Sequence, residues 1–314
     1  MGGIIKYLIT GGAGFIGSHL VDKIINKAEK VIVLDNLLTG NLKNLEEHKN
    51  NKKFKFYNHD IQNSIELDEE IDYVVHLASC ASPFAYTNYP INTLKSGSIG
   101  TINALGISKK HDAKFFLAST SEIYGDPEIS PQHENYWGNV NTLGPRSMYD
   151  ESKRFAEAAT QSYISTHNLH GSIARIFNTY GPRMAFDDGR VVTNFIYQAL
   201  NNQDITIFGD GSQTRSFSFI EDTLEGILKI LDYETSDVFN IGNDHEIKII
   251  ELANKIIDLT NSNSKIVNKD LPIDDPKQRK PDLSKAKKLL KYETKYDLET
   301  GLLKTISWFK KNYK

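Results

Sequence analysis

The stretch T-G-G-A-G-F-I-G, residues 10–17, decides how the rest of this chain is read. It follows an apolar run, residues 4–10 (IIKYLIT), that reads as a buried strand. It opens residues 15–26, where Phe15, Ile16, Leu20, Ile24 and Ile25 recur at helical spacing. A strand that passes through glycines straight into a helix brings bare backbone up to a helix N-terminus. There the free N–H groups and the helix dipole favour a pyrophosphate. Gly12, Gly14 and Gly17 fit G-x-G-x-x-G, while Gly11, Gly14 and Gly17 fit G-x-x-G-x-x-G, and the spacing alone leaves both open. The next apolar run, residues 30–35 (KVIVLD), ends on Asp35, near the distance at which an acid meets the adenosine ribose of a dinucleotide. A carboxylate there repels a 2′-phosphate and no arginine follows within residues 36–41, so the reading is NAD rather than NADP.

Further strands are expected at residues 53–57, 72–77, 113–118 and 171–177, with helices at 94–109 and 149–166. Strands alternating with helices imply parallel βαβ units, and apolar runs without strict alternation imply strands covered on both faces. The fold class is therefore α/β: a Rossmann-like doubly wound parallel sheet with a smaller C-terminal α/β substrate lobe. Helical patterns at 191–202, 220–231, 249–259 and 283–290 belong to that second half. The division expected is an NAD-binding part over residues 1–177, with 217–242 returning to it, and a substrate lobe over 178–314. Asp60 and Ile61 fall just after the third strand, where they either hold an adenine edge or merely make a turn.

Bulk properties narrow the function. The chain has 314 residues, 39% hydrophobic and 25% charged, with net charge −3, so it has material for a core and no basic excess for a nucleic-acid partner. Cys80 is the only cysteine, which excludes an internal disulfide and suits a reducing compartment. The opening residues show no signal-peptide pattern and no apolar run reaches membrane-spanning length, so the expectation is a cytoplasmic protein with no membrane partner. The nine histidines lack metal-binding spacing, and no metal is expected. Lys285, Lys287, Lys288 and Lys291 read as the solvated face of a helix whose Leu289 and Leu290 point inward.

Tyr149 and Lys153 form Y-x-x-x-K, which on a helix places both on one face. A neighbouring ammonium favours phenolate and lowers the tyrosine's proton affinity, making a base usable near neutral pH. The fifth strand runs into Ser119, Thr120, Ser121 and Glu122, and in open α/β sheets ligands bind beyond the carboxyl ends of strands. Thr120 suits a sugar hydroxyl, Glu122 offers a carboxylate for proton handling or sugar positioning, and Ser119 reads as plain loop polarity.

With T-G-G-A-G-F-I-G, T-S-E-I-Y-G at 120–125 and Tyr149/Lys153 together, the chain resembles the extended short-chain dehydrogenase/reductase family. Within it, several stretches resemble the UDP-glucuronate decarboxylase (UDP-xylose synthase) branch. They are H-L-A-S-x-A-S-P at 76–83, L-A-S-T-S-E-I-Y-G-D-P-E at 117–128, Y-W-G at 136–138 and Y-D-E-S-K-R at 149–154. A-R-I-F-N-T-Y-G-P-R-M at 174–184, D-D-G-R-V-V at 187–192, G-S-Q-T-R-S-F at 211–217 and D-D-P-K-Q-R-K-P-D at 274–282 continue the likeness over nearly the whole chain. The resemblance implies oxidation at C4 of the sugar, loss of CO2 from the resulting β-keto acid, and reduction to UDP-xylose with NAD regenerated. It implies Thr120, Glu122, Tyr149 and Lys153 as the catalytic core. The cofactor contacts taken with it are Gly11, Gly14, Phe15, Ile16, Gly17, Asp35, Asn36, Thr39, Gly40, Asp60, Ile61, Leu77, Ala78, Ser79, Ala118, Tyr149, Lys153 and Thr179. The substrate contacts are Asn178, Arg190, Arg215 and Arg279, the last nearest the sugar, with Asn178 donating to a phosphate or to the uracil; Arg183 lies in the same half. The resemblance also implies a homodimer pairing long helices.

The chain departs from that pattern at Cys80, where proline is expected, at Gly97, where asparagine is expected, and at Ser152, where glycine is expected. Ser121 stands where nucleotide-sugar 4,6-dehydratases often carry an aspartate, which weighs against dehydration. The alternatives left are a 4,6-dehydratase or 4-epimerase on another nucleotide sugar, and a non-catalytic NAD-binding regulator.

Overall fold

The computed structural model describes residues 5–270 and 278–313; Ile4 of the expected first strand and residues 274–277 of the D-D-P-K segment lie outside the described residues. The first half is built from β1 (Lys6–Thr10), α1 (Phe15–Ile24), β2 (Lys30–Asp35), β3 (Phe54–Asn58), β4 (Tyr73–His76), α2 (Pro83–Asn88), α3 (Pro90–Lys95), a π turn (Ser96–Gly100), α4 (Thr101–His111), β5 (Lys114–Thr120), α5 (Ser147–His167) and β6 (Gly171–Ile176). The second half adds β7 (Thr179–Tyr180), α6 (Val191–Leu200), β8 (Ile205–Phe208), β9 (Thr214–Ser216), β10 (Ser218–Phe219), α7 (Ile220–Leu231), β11 (Val238–Ile241), β12 (Glu246–Lys248), α8 (Ile249–Thr260), β13 (Ile266–Lys269), α9 (Ser284–Leu290) and α10 (Leu298–Asn312).

The main sheet has seven strands in the order β11-β6-β5-β4-β1-β2-β3, and every pairing in it is parallel. Strand order reverses between β1 and β4, which opens a crevice at their carboxyl ends. Both faces are covered, and the strands show it residue by residue. Ile9, Val31, Val33, Val75 and Phe116 enter one core, while Leu8, Ile32, Leu34, Val74, Phe115 and Leu117 enter the other. Successive side chains of a strand point to opposite faces, so strands buried on both sides need apolar residues at every position. The first of these cores runs on without a break into the second half, through Phe195, Ile205, Leu252 and Phe309.

Several elements differ from the sequence reading. The helix expected at 94–109 is present but starts earlier, with Pro90 in the first turn of α3, and it carries a π turn between α3 and α4 without leaving helical backbone. β5 continues to Thr120, so that residue sits on the strand end itself. The second half carries short strand pairs, β7 with β10, β8 with β13 and β9 with β12, too short for a periodic signature, together with α10, whose Leu298, Leu302, Ile306 and Phe309 do recur at helical spacing and which the sequence reading passed over. On α9, Leu290 is buried as expected, but Leu289 is exposed; Ala286 takes the inward position four residues before Leu290. Two of the lysines there are paired, Lys285 with Asp237 at 2.5 Å and Lys287 with Asp244 at 2.6 Å.

Candidate active site

The glycine turn resolves in favour of Gly11, Gly14 and Gly17. Gly11 has φ +74°, and a Cβ on it would lie 2.7 Å from the backbone of Ala78 at the end of β4. A Cβ on Gly17 would lie 2.3 Å from the Gly11 carbonyl oxygen, so this glycine seats α1 against the turn. Gly12 meets only the Val33 side chain. Gly14 caps α1 with no side-chain hydrogen bond, and on its own side the nearest atom to a Cβ is the Gly11 oxygen at 3.2 Å. The helix N-terminus is thereby left bare toward the crevice, as an anion site requires.

Asp35 ends β2 and is buried at 8% exposure. It accepts from the Ala13 and Leu37 amides at 3.0 and 2.8 Å; burial pushes its proton affinity up and those amides pull it down. Gly40 must be small because a Cβ there would lie 2.7 Å from the Asp35 carboxylate. Asp60 accepts from the Asn36 side chain at 3.0 Å and the Gln62 amide at 2.9 Å, joining the ends of β2 and β3.

A buried chain of hydrogen bonds crosses the switch point. Thr101 donates to the Gly97 carbonyl at 2.8 Å, so His76 Nε2, 3.2 Å from the Thr101 oxygen, is the donor. His76 Nδ1 then accepts from Thr10 at 2.7 Å, and Thr10 in turn accepts from the Ala78 amide at 3.3 Å. Burial, and secondarily the charge of Lys153, hold His76 neutral, with its pKa pushed down to about 3.

Tyr149 and Lys153 lie on the first turns of α5, both buried. Tyr149 hydrogen-bonds Thr120, and Lys153 donates to the Ala118 carbonyl at 2.8 Å. The expected lowering of the tyrosine's proton affinity by Lys153 is not what dominates. Burial pushes Tyr149 up to about 12, opposed by the Thr120 hydroxyl and by the positive charge of Arg190, while burial pulls Lys153 down to about 8. Desolvation wins because the phenol is 5% exposed, and forming a charge on a buried group is costly. Ser119 is not idle loop polarity: it donates to Glu157 at 2.5 Å, and Glu157 pairs with Arg175 at 2.7 Å beneath β5 and β6.

Glu122 is not a free carboxylate in the crevice. One oxygen is engaged by Arg146 and the other by Arg279. Arg279 is 4% exposed and donates to the Gly125 carbonyl at 3.2 Å, while its Nε has no hydrogen-bond partner among the described residues. Arg190 spans the crevice, donating to the Ala81 carbonyl at 3.2 Å and lying 3.4 Å from Asp188. Arg215 donates to the Thr214 carbonyl at 2.9 Å, and Arg183 pairs with Asp22 on α1 at 2.7 Å. Thr179 donates to the Phe177 carbonyl at 3.0 Å and lies 2.9 Å from the Thr223 hydroxyl.

All the predicted cofactor, catalytic and substrate residues, from Gly11 and Asp35 through Tyr149 and Lys153 to Asn178, Arg190, Arg215 and Arg279, line one cleft of about 1400 Å³. That exceeds the ~300–1,000 Å³ of an ordinary small-molecule pocket and leaves room for a dinucleotide and a second ligand together. Arg146 and Tyr86 also line it, and the sequence reading passed over both. Arg146 stands three residues before Tyr149, at the N-cap of α5, a spacing that could have drawn attention. Tyr86 lies on a helix too short for periodicity to reveal.

Gly97 and Ser152, which depart separately from the family pattern, face each other. A Cβ on Gly97 would lie 2.6 Å from both Cβ and Oγ of Ser152. The missing side chain on the π turn is what makes room for the extra one on α5.

Comparison with known proteins follows the same lines. A family profile described as GDP-mannose 4,6 dehydratase matches residues 8–305. The chain is 48% identical over 299 residues to UDP-glucuronic acid decarboxylase 4 of Arabidopsis thaliana, a match covering 95% of this chain and 67% of that protein. It is 46% identical over 306 residues to UDP-glucuronic acid decarboxylase 1 of Xenopus tropicalis, covering 98% of this chain and 72% of that one. Among solved structures it resembles the UDP-glucuronic acid 4-epimerase of Bacillus cereus in complex with UDP-glucuronic acid and NAD. There the TM-score is 0.89 at 28% identity, covering 98% of this chain and 100% of that one.

Proposed function

This chain belongs to the GDP-mannose 4,6-dehydratase family of extended short-chain dehydrogenases/reductases, and from that premise we infer that it is an NAD-dependent UDP-glucuronate decarboxylase forming UDP-xylose through a 4-keto sugar. The observation that carries the decarboxylase reading is Arg279, a buried cation with an unpartnered Nε in the cleft that also holds Tyr149. A sugar carboxylate is the ligand such a guanidinium suits.

The residues fit the dinucleotide. The bare α1 N-terminus at Gly14 suits the pyrophosphate and Asp35 suits the adenosine ribose. Ser79 lines the cleft with a buried hydroxyl that has no partner among the described residues, and a cofactor hydroxyl would satisfy it. When bound, NAD supplies the oxidation at C4 and the matching reduction at the end, so no net cofactor is consumed.

The chain's own groups handle protons and charge. Tyr149 is the group placed to take the proton of the 4-hydroxyl, and Thr120 beside it and the charge of Arg190 offset part of the burial that disfavours its phenolate. Lys153, held by the Ala118 carbonyl, is placed to orient the nicotinamide ribose. Once C4 is a ketone the sugar is a β-keto acid: the C5–C6 bond breaks, CO2 leaves, and its electron pair passes into the C4 enolate. Arg279 orients the carboxylate, and Glu122, bridged to Arg146, holds Arg279. Asn178, Arg190 and Arg215 take the UDP moiety, where bidentate donors suit a diphosphate.

Residues 1–177 with 217–242 make up the dinucleotide part in this reading, supported by β11 pairing with β6 in the main sheet; the remainder holds the nucleotide sugar. A homodimer is supported by an apolar surface on adjoining helices. Ile91, Leu94, Ile99 and Ile102 stay exposed along α3–α4, as does Phe155 on α5, which packs beside them. Cytoplasmic placement rests on the single cysteine, and no described helix is long and apolar enough to cross a membrane.

The test is to supply UDP-glucuronate with NAD⁺ and follow CO2 and the sugar product. CO2 with UDP-xylose is expected. Retained carboxylate with inverted C4 would mean an epimerase, and no turnover on any nucleotide sugar a binding protein.

A further inference from the structure

Tyr86 is a phenol that the chemistry above leaves unused. It is 4% exposed, lines the cleft, and its ring stacks on that of Tyr149 with centroids 5.3 Å apart and planes 15° from parallel. The stack is held in place from both halves of the protein. Ser82 caps α2 by accepting from the Ala85 amide at 3.2 Å, Phe84 donates its amide to the Asp188 carbonyl at 3.3 Å, and Arg190 donates to Ala81 at 3.2 Å. Tyr86 shares that cleft with Arg279, which is likewise buried, at 4% exposure.

In a uronate sugar, C5 lies between C4 and C6. If the oxygen on C4 meets Tyr149 and the C6 carboxylate meets Arg279, the group placed toward both of these residues faces C5. We propose that Tyr86 is the acid that protonates C5 after CO2 has left. In this step the Tyr86 O–H bond breaks and a C5–H bond forms with the electron pair of the enolate, which restores the C4 ketone. The phenolate left on Tyr86 then takes a proton from solvent, matching the one proton that conversion of a carboxylate sugar to CO2 and a pentose consumes. Without this donor the enolate must await water, which reaches C5 more slowly and from either face. The proposal rests on the decarboxylase reading of the same site.

The experiment uses the full chain and Tyr86→Phe, which keeps the ring and its stacking, with UDP-glucuronate in D2O. Absence of CO2 with the unaltered protein would overturn the decarboxylase reading itself, and this proposal with it. Given CO2 release, the unaltered protein should place deuterium on a single face of C5 in UDP-xylose, read by NMR. The variant should form NADH in a single turnover within about twofold of the unaltered rate, yet release UDP-xylose about a hundredfold more slowly, as for loss of a general acid. Its product should carry deuterium on both faces of C5. Single-face labelling retained in the variant would overturn the proposal. Loss of the initial NADH formation would do so too, by showing that Tyr86 serves only to hold Tyr149.

Discussion

Alanine at Gly97 measures how tightly α5 is wedged against the π turn. The new Cβ would lie 2.6 Å from Cβ and Oγ of Ser152, whereas carbon–carbon contacts are comfortable near ~3.5–4.0 Å. Ser152 is 2% exposed and donates to the Tyr149 carbonyl at 2.8 Å, so it cannot swing away. Overpacking of this kind costs about 1–3 kcal/mol. Alanine offsets about 1 kcal/mol of that through helix propensity, leaving a net loss of about 0–2 kcal/mol. Ser152→Gly alone should lose about 0.5 kcal/mol, again through propensity. In the double variant the clash is gone and the propensity changes offset to within about 0.5 kcal/mol, so the cycle shows a coupling of about 1–3 kcal/mol, the size of the clash itself. Because Ser152 sits between Tyr149 and Lys153, the single Gly97→Ala change should also lower turnover about tenfold, since sub-ångström displacement of reacting groups is expensive. Urea unfolding midpoints with unchanged slopes, and UDP-xylose formation, are the measurements. A double variant whose midpoint is the simple sum of the two single changes would refute the wedge.

Three further outcomes follow from the geometry. Tyr149→Phe should bind NAD⁺ with its original affinity, followed by titration calorimetry, while turnover falls about 10²–10⁴-fold; near-normal turnover would remove Tyr149 as the base. Gly17→Ala should impair both stability and NAD⁺ affinity because its Cβ strikes a backbone oxygen at 2.3 Å, whereas Gly14→Ala, with only one contact at 3.2 Å, should leave the unfolding midpoint nearly unchanged and weaken NAD⁺ binding. His76 carries an acid dependence: it is neutral when folded down to about pH 3 but protonates at 6.5 when unfolded. Between those values the unfolded state binds the extra proton, so stability is full above pH 6.5 and falls toward pH 3 by on the order of 5 kcal/mol. A His76→Gln variant should show a flatter acid limb in urea unfolding between pH 6.5 and 4, and an unchanged slope would contradict the buried neutral imidazole.

Local chemistry was legible in the amino-acid order, because it depends on neighbours along the chain. Strand, glycine turn and helix at residues 10–17, the acid closing β2, and Tyr149 one helical turn from Lys153 are all set by short-range backbone geometry. Even the choice between the two glycine patterns waited on the fold, since only there is Gly11 seen at φ +74° with the Ala78 backbone, just past β4, close against it. What the tertiary structure alone decided are the properties that depend on distant partners and on burial. Glu122 reads as a free acid until Arg146 and Arg279 are seen to occupy its two oxygens. Tyr149 reads as a phenol lowered by Lys153 until its burial is seen to push it the other way. Gly97 and Ser152 read as two unrelated departures until packing of the π turn on α5 makes them one adjustment. Periodicity specifies which face of an element is buried; which side chain from elsewhere meets it there, and how little water remains around the charges, is settled only when the elements pack.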